Sequence, residues 1–413
     1  MDWVACVGID WGDKEHNYKL ATVEGMKIGG RMKNTAEDLH QWAREIRQQF
    51  ASGIIIVAVE QGQWSLIWAL MMYDYFVFVL INPRASKAYR DARRLSGASS
   101  DASDAGLICE FAIKHLDELR QWRPDDVITR KMRLLVEQRR TLVDQRTRTT
   151  HMLAATLKEF FPQALEWFGG ESSPLLRGVL ARWPTLEHFR QASVDEIAEV
   201  MRAHRRRKVA VASKALAEKV RAAILLTHDA AITTTCAMYA QALIAMIDPL
   251  DEQIAKYDQV IAECWATHPD RQLFDSLPGA GPVLAPRLAV AFGRDRSRYA
   301  SAAEMACYSG IAPVIEQSGK QRWVHARWGF PTFLHQSFHE FAQASIPHSR
   351  WAKAIYHQQR ERGAGHHQAI RDLAFRWIGI LFRLWKNGDR YNEQTHLDHL
   401  RRTQSPIVQR LAA

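Results

Sequence analysis

The 413-residue chain is hydrophobic at 47% of its positions and carries 55 Lys and Arg against 45 Asp and Glu, for a formal charge of +10 and a pI near 9.4. It is too long for one ordinary domain and too apolar for a disordered chain, and its basic balance favours a polyanionic partner. Five isolated cysteines without a CxxC pair argue against a zinc ribbon and a disulfide framework and suit a reducing compartment.

No cleavable apolar leader precedes Val4. The longest apolar candidate, around Leu66 to Ile81, is broken by Asp74. The expectation is a soluble, intracellular protein with no membrane span.

Residues 1–125 read as an α/β layer. Val4–Asp10 (VACVGID) is a short buried-strand pattern, Asn17–Val23 alternates as a second strand, and Met26–Met32 returns as a third. Thr35 opens a helix through Phe50 with Asp38 as its capping-box acid. Ile54–Glu60 (IIIVAVE) is β-branched and continuous, as a strand covered on both faces should be. A helix from Trp64 to Tyr73 leads to a strand at Phe76–Ile81, which Asn82-Pro83 ends.

Leu95–Ala112 (LSGASSDASDAGLICEFA) then sets Asp101 and Asp104 three residues apart on one helical face. The bland reading makes Asp101 an N-cap and Asp104 its capping-box partner. Asp10, however, ends the first strand and Glu60 the central one, and strand ends of an open α/β sheet are where sites collect. Two hard divalent cations with oxygen ligands would give the four acids a shared reason.

The ordered set GID with Asp10, VEQGQW with Glu60, INPR from Ile81 and SSDASDA with Asp101 and Asp104 resembles the RuvC-like DEDD transposases of bacterial insertion sequences. The resemblance implies an RNase H-like (RuvC-like) N-terminal domain whose Asp10, Glu60, Asp101 and Asp104 bind magnesium, with manganese as a substitute. The residues after Asp10 (WGDKEH) and Trp64 depart from the usual family pattern.

Val127–Phe160 reads as a long arginine-rich helix. A second runs from about Thr233 to Ala266, with Leu243, Ile247, Leu250, Ile254, Tyr257, Ile261 and Cys264 spaced as a coiled-coil seam. Pro249 would kink that helix or start a new one. The two helices could pair within one chain or across a dimer. Between them, Ser172–Leu226 is helical and basic, a plausible insertion toward nucleic acid or a partner. These elements make a helical, coiled-coil middle region, 126–268.

Residues 269–390 form a mostly α-helical C-terminal region. SLPGAGPVLAPRLAVAFG, from Ser276, is either a simple tight turn or a helix-hairpin-helix element, with Gly279 and Gly281 allowing backbone N–H groups to approach a phosphate. YSGIAPVIEQSGK, from Tyr308, resembles the family's loop with a Ser-Gly-Lys unit. The resemblance makes Ser318 the nucleophile, Ser309 the competing serine, and Lys320, Arg322 and Arg327 phosphate contacts, with His335 where an arginine is usual. His335 and His339 lie four apart without an HExxH pattern or an evident third ligand, and read as core or phosphate-facing. Trp351, Tyr356, Phe375, Trp377, Phe382 and Trp385 read as core aromatics, and the chain beyond Asn387 (a polar tail, 391–413) as frayed.

What the resemblance implies is a transposase of an insertion sequence: RNA-guided exchange of donor and target double-stranded DNA through a serine–DNA covalent intermediate, directed by a structured non-coding RNA. It further implies a homodimer assembling to a tetramer, in the bacterial cytoplasm at the nucleoid. Two rivals use the same residues differently: a Holliday-junction resolvase or RNase H-like nuclease that activates water, and an inactive nucleic-acid-binding relic. Sugar kinases and actin-like ATPases share the fold, but this chain lacks their Gly-rich second phosphate loop.

Overall fold

A computed structural model describes residues 3–93, 100–204, 207–319 and 321–408. Its first unit, ending at Asp125, runs β1 (Trp3–Asp10), β2 (Glu15–Thr22), β3 (Lys27–Lys33), α1 (Ala36–Gln49), β4 (Ile54–Glu60), α2 (Trp64–Leu70), β5 (Phe76–Ile81), α3 (Pro83–Arg93), α4 (Asp101–Lys114) and β6 (Gln121–Trp122). The strands form one sheet in the order β3-β2-β1-β4-β5-β6. β2 is antiparallel to β1 and β3, β1, β4 and β5 are parallel, and β6 returns antiparallel to β5.

Alternation sorts the central strands onto two layers. Ala5, Val7, Ile9, Ile55, Val57 and Val59 pack toward α1 and α2, while Cys6, Ile56 and Ala58 pack toward α4. Thr35 caps α1 by accepting from the Asp38 N–H, as expected. Two elements were not expected. α3 follows Pro83 directly, because proline suits the first turn of a helix as well as it ends a strand. β6 is a two-residue strand, too short to carry a periodicity.

The second unit, from Asp126, contains α5 (Val127–Phe160), α6 (Gln163–Trp167), α7 (Pro174–Arg182), α8 (Leu186–Arg190), α9 (Val194–Ala203), α10 (Val209–Ala222), α11 (Ala230–Ala266), α12 (Arg271–Asp275), α13 (Gly281–Phe292) and α14 (Ala302–Tyr308). It continues through β7 (Val314–Ser318), β8 (Gln321–His325), α15 (Thr332–Ser345), α16 (Arg350–Glu361), α17 (His366–Asn387) and α18 (Glu393–Arg402). α5 and α11 pair within the chain, antiparallel: Arg139 Nη2 donates to Asp258 at 3.0 Å and Arg146 Nη1 to Asp251 at 3.2 Å. They link two apolar cores. One gathers α6 to α10 around Leu153, Leu157, Leu243 and Ile247; the other gathers α12 to α18 around Phe292, Phe338, Trp377 and Trp385.

Three sequence expectations change here. Pro249 neither ends nor splits α11, which continues through it. α11 is by length and composition able to cross a membrane, unlike any run singled out from the sequence. Its Leu243, Ile247 and Ile254 are nevertheless buried in the protein, and Asp248, Asp251 and Asp258 take ion pairs from Arg177, Arg146 and Arg139, as in a helix of a water-facing fold. Finally, the described residues beyond Asn387, as far as 408, do not fray. α18 is capped by Asn392, and Leu397 and Ile407 are buried in the second of these cores.

Candidate active site

β1 and β4 are parallel neighbours with Ile9 opposite Val59, so Asp10 and Glu60 end side by side on the sheet. Ile9 and Val59 face the layer of α1 and α2, and the next residue of each strand therefore faces the layer of α4. α4 supplies Asp101 and Asp104. The capping question resolves cleanly: Ser100 is the N-cap and Ser103 its capping-box partner, each accepting from the other's backbone N–H. Both aspartates are thereby released from capping, in the first turn, where the helix dipole favours negative charge.

The four acids act on one another. Burial holds the Asp10 carboxyl at about 6, and the charges of Asp104, Asp101 and Glu60 push it the same way. Arg90 of α3 opposes this. Its guanidinium lies 3.3 Å from Glu60 and 3.8 Å from Asp104. The buried Oε1 of Glu60 has that ion pair but no hydrogen bond. As they stand the acids do not form a closed ligand shell: among the described residues no three Asp, Glu, His or Cys group tightly enough to grip an ion. The donors are nonetheless all hard oxygens, the type that suits a hard divalent cation, and Arg90 sets one positive charge among them.

Arg90 was missed from the sequence because nothing local marks a helical arginine as facing acids from two other elements. Gly8 was missed as well. A side chain there would run into the backbone of Ala105 and Cys109, so Gly8 lets α4 sit directly on β1. Trp64 stacks on Trp68 at 5.2 Å and edges onto Trp122, a packing role on the layer away from the acids.

In the second unit Ser318 is the last residue of β7, exposed, and opposite Gln321 across a turn in which Gly319 takes a left-handed φ of 58°. Ser309 is fully buried and donates to the Ala306 carbonyl at the end of α14, so it lacks the access a nucleophile needs. Arg322 is exposed on β8. Arg327 follows β8 and points its Nη2 at the Cys307 sulfur at 3.6 Å. Lys320 lies outside the described residues.

Comparison with known proteins gives two matches on the same chain. A DEDD transposase model of the IS110 type matches residues 7–162, and the model of the IS116/IS110/IS902 transposase family matches 271–357, together more than half of the chain. The chain belongs to the IS116/IS110/IS902 family of transposases. The protein named as mini-circle transposase for IS117 in Streptomyces coelicolor is 25% identical over 398 residues, 94% of this chain and 95% of that one. The 44.8 kDa protein of insertion element IS116 from Streptomyces clavuligerus is 28% identical over 72% of this chain and 75% of its own. The 42 kDa protein of IS900 from Mycobacterium paratuberculosis is 26% identical over 94% and 97%.

The first family match spans Asp10, Glu60, Asp101 and Asp104, and the second spans Gly279, Gly281, Ser318, Arg322 and Arg327. In this transposase family member, the turn between α12 and α13 holds both glycines at positive φ. Gly279 is pressed against the Ala344 carbonyl of α15, so its close approach is to the protein itself, whereas Gly281 opens α13 with free space beside it. His335 stacks on Phe330 at 4.5 Å and adjoins His339, which in turn adjoins His367. Burial lowers the pKa of His335 and His339 and favours their neutral rings.

Proposed function

We propose that this chain is a DNA recombinase that moves an insertion element by strand cleavage and exchange between donor and target double-stranded DNA, guided by a structured non-coding RNA. The observation that carries this reading is the meeting of Asp10, Glu60, Asp101 and Asp104 from two strands and a helix, where burial and then the charges of the other three raise the Asp10 carboxyl to about 6. The sheet order, an antiparallel β3-β2-β1 followed by parallel β4 and β5, supports an RNase H-like N-terminal domain. The transposase name of the IS117 relative agrees.

In this reading Asp10, Glu60, Asp101 and Asp104 would hold magnesium or manganese, beside the Arg90 guanidinium that lies near Glu60 and Asp104. A bound ion supplies Lewis-acid charge for phosphoryl transfer. Ser318 attacks the phosphodiester: its Oγ forms a new O–P bond, the sugar hydroxyl departs, and the DNA phosphate stays on the serine for rejoining. Arg322, Arg327 and Lys320 supply positive charge to flanking phosphates. A homodimer through α11 would present two copies of each part, and a tetramer of two such dimers four.

The test is covalent trapping with purified protein, the flanking non-coding RNA, magnesium, and labelled donor and target DNA. A denaturation-resistant protein–DNA adduct is expected, absent in Ser318→Ala and Asp101→Ala. Cleaved DNA without an adduct, unaffected by Ser318→Ala, would replace this reading with a metal-dependent nuclease.

A further inference from the structure

The β7–β8 hairpin is exposed on both faces, with Ile315, Trp323 and Val324 all more than half open to solvent. A two-stranded hairpin with no covered face is marginal in water, so its apolar residues point to a partner. Directly paired residues of an antiparallel ladder share a face. The register pairs Ser318 with Gln321, Glu316 with Trp323 and Val314 with His325. Ser318 and Trp323 therefore project from the same face, and Gln317, Arg322, Ile315 and Val324 from the other.

Trp323 is the diagonal neighbour of Ser318, about 7–8 Å away by sheet geometry. A stacked strand advances about 3.4 Å per nucleotide, so that spacing reaches the first or second base beside a phosphate held at Ser318. Glu316 on this face presents no bare anion, because its Oε1 lies 2.8 Å from His325 Nε2. Arg322 has no acidic partner among the described residues, so its charge on the other face stays available to a phosphate. An exposed indole one diagonal step from Ser318, on a hairpin whose other face carries an arginine that can reach a flanking phosphate, suits a nucleobase better than an apolar protein surface.

We infer that Trp323 is a base-stacking residue that holds an unpaired DNA nucleotide next to the phosphate Ser318 attacks. This rests on the recombinase reading for the role of Ser318, but stacking itself can be measured without cleavage. Strand exchange requires bases to leave the duplex, and an aromatic platform stabilises them without reading their sequence.

The experiment compares full-length wild type with Trp323→Leu, which keeps apolar bulk in the hairpin, and Trp323→Phe, which keeps an aromatic face. Binding is measured by fluorescence anisotropy to a short duplex, the same duplex with a central unpaired bubble, and single-stranded RNA, with thermal unfolding as a check on folding. Wild type is expected to prefer the bubble over the duplex. Trp323→Leu should lose that preference by roughly 5- to 100-fold with duplex binding unchanged, and Trp323→Phe should restore most of it.

Equal bubble preference in wild type and Trp323→Leu overturns the inference, as does a Trp323→Phe variant no better than Leu, or a loss confined to RNA. Ser318→Ala separates the two readings: it should lose the adduct and keep the bubble preference. A wild-type adduct with no Trp323 effect would sink stacking alone. Trp323-dependent bubble binding with no adduct would sink the recombinase reading alone.

Discussion

Gly8 shows how one absent side chain shapes the acidic site. It lies on β1 two residues before Asp10, directly beneath α4, and a methyl group there would be driven into the Cys109 nitrogen and the Ala105 carbonyl. Neither backbone atom can swing aside, so Gly8→Ala must lift α4 and carry Asp101 and Asp104 with it. Overpacking of this kind typically costs about 1–3 kcal/mol. The expected result is a lower unfolding midpoint together with loss of DNA cleavage; a variant with wild-type stability and cleavage would show that α4 can shift freely. Arg90 works by charge on the same acids. Its loss would remove the ion pair it makes with Glu60 and the positive charge by which it lowers the Asp10 pKa.

At the scale of elements, α18 shows why a polar segment need not fray. Its Leu397 is buried, as is Ile407 just beyond it, and His396 is packed edge-on against Trp351 at 5.0 Å with neither ring nitrogen hydrogen-bonded. Burial, assisted by Arg383 and His399, lowers the His396 pKa to about 4 from an ordinary 6.5. Between those values the unfolded chain binds the extra proton. The stability contributed by the neutral ring is thus complete above pH 6.5 and is lost as pH falls toward 4. His396→Phe keeps the aromatic contact and removes the titration, so its unfolding midpoint should fall less than the wild type's between pH 7 and pH 4.5. Parallel curves for the two proteins would place the acid sensitivity elsewhere.

Across the whole molecule, α11 carries a buried apolar seam, Leu243, Ile247, Ile254 and Ile261, flanked by exposed Ile232, Tyr239, Met246 and Val260, which are spaced in multiples of seven. That spacing marks a stripe along one side of a helix and fits pairing with a second copy. It also accounts for the helix being apolar enough to resemble a membrane span. Tyr239→Glu combined with Met246→Glu should convert a dimer to a monomer, raising the dissociation constant roughly a hundredfold if two large apolar side chains are buried there. Light scattering after size exclusion reads this directly, and an unchanged mass would remove α11 from the interface.

The sequence by itself determined the parts that depend on local periodicity and on chemistry at element ends. The five longer strands of the first unit, the two long helices and the acids at Asp10 and Glu60 were legible, because buried strands and amphipathic helices leave regular patterns and an acid ending a buried strand is conspicuous. Only the tertiary structure decided which partners those parts meet. It made Ser100 and Ser103 the cap of α4, freeing Asp101 and Asp104, and it brought Arg90 between Glu60 and Asp104. It paired α5 with α11 inside one chain, buried Ser309 while leaving Ser318 open, and placed Trp323 on the face of Ser318. Each of these is a contact between residues distant in sequence or a choice of face, and spacing along a chain encodes neither until strands are in register and helices are packed.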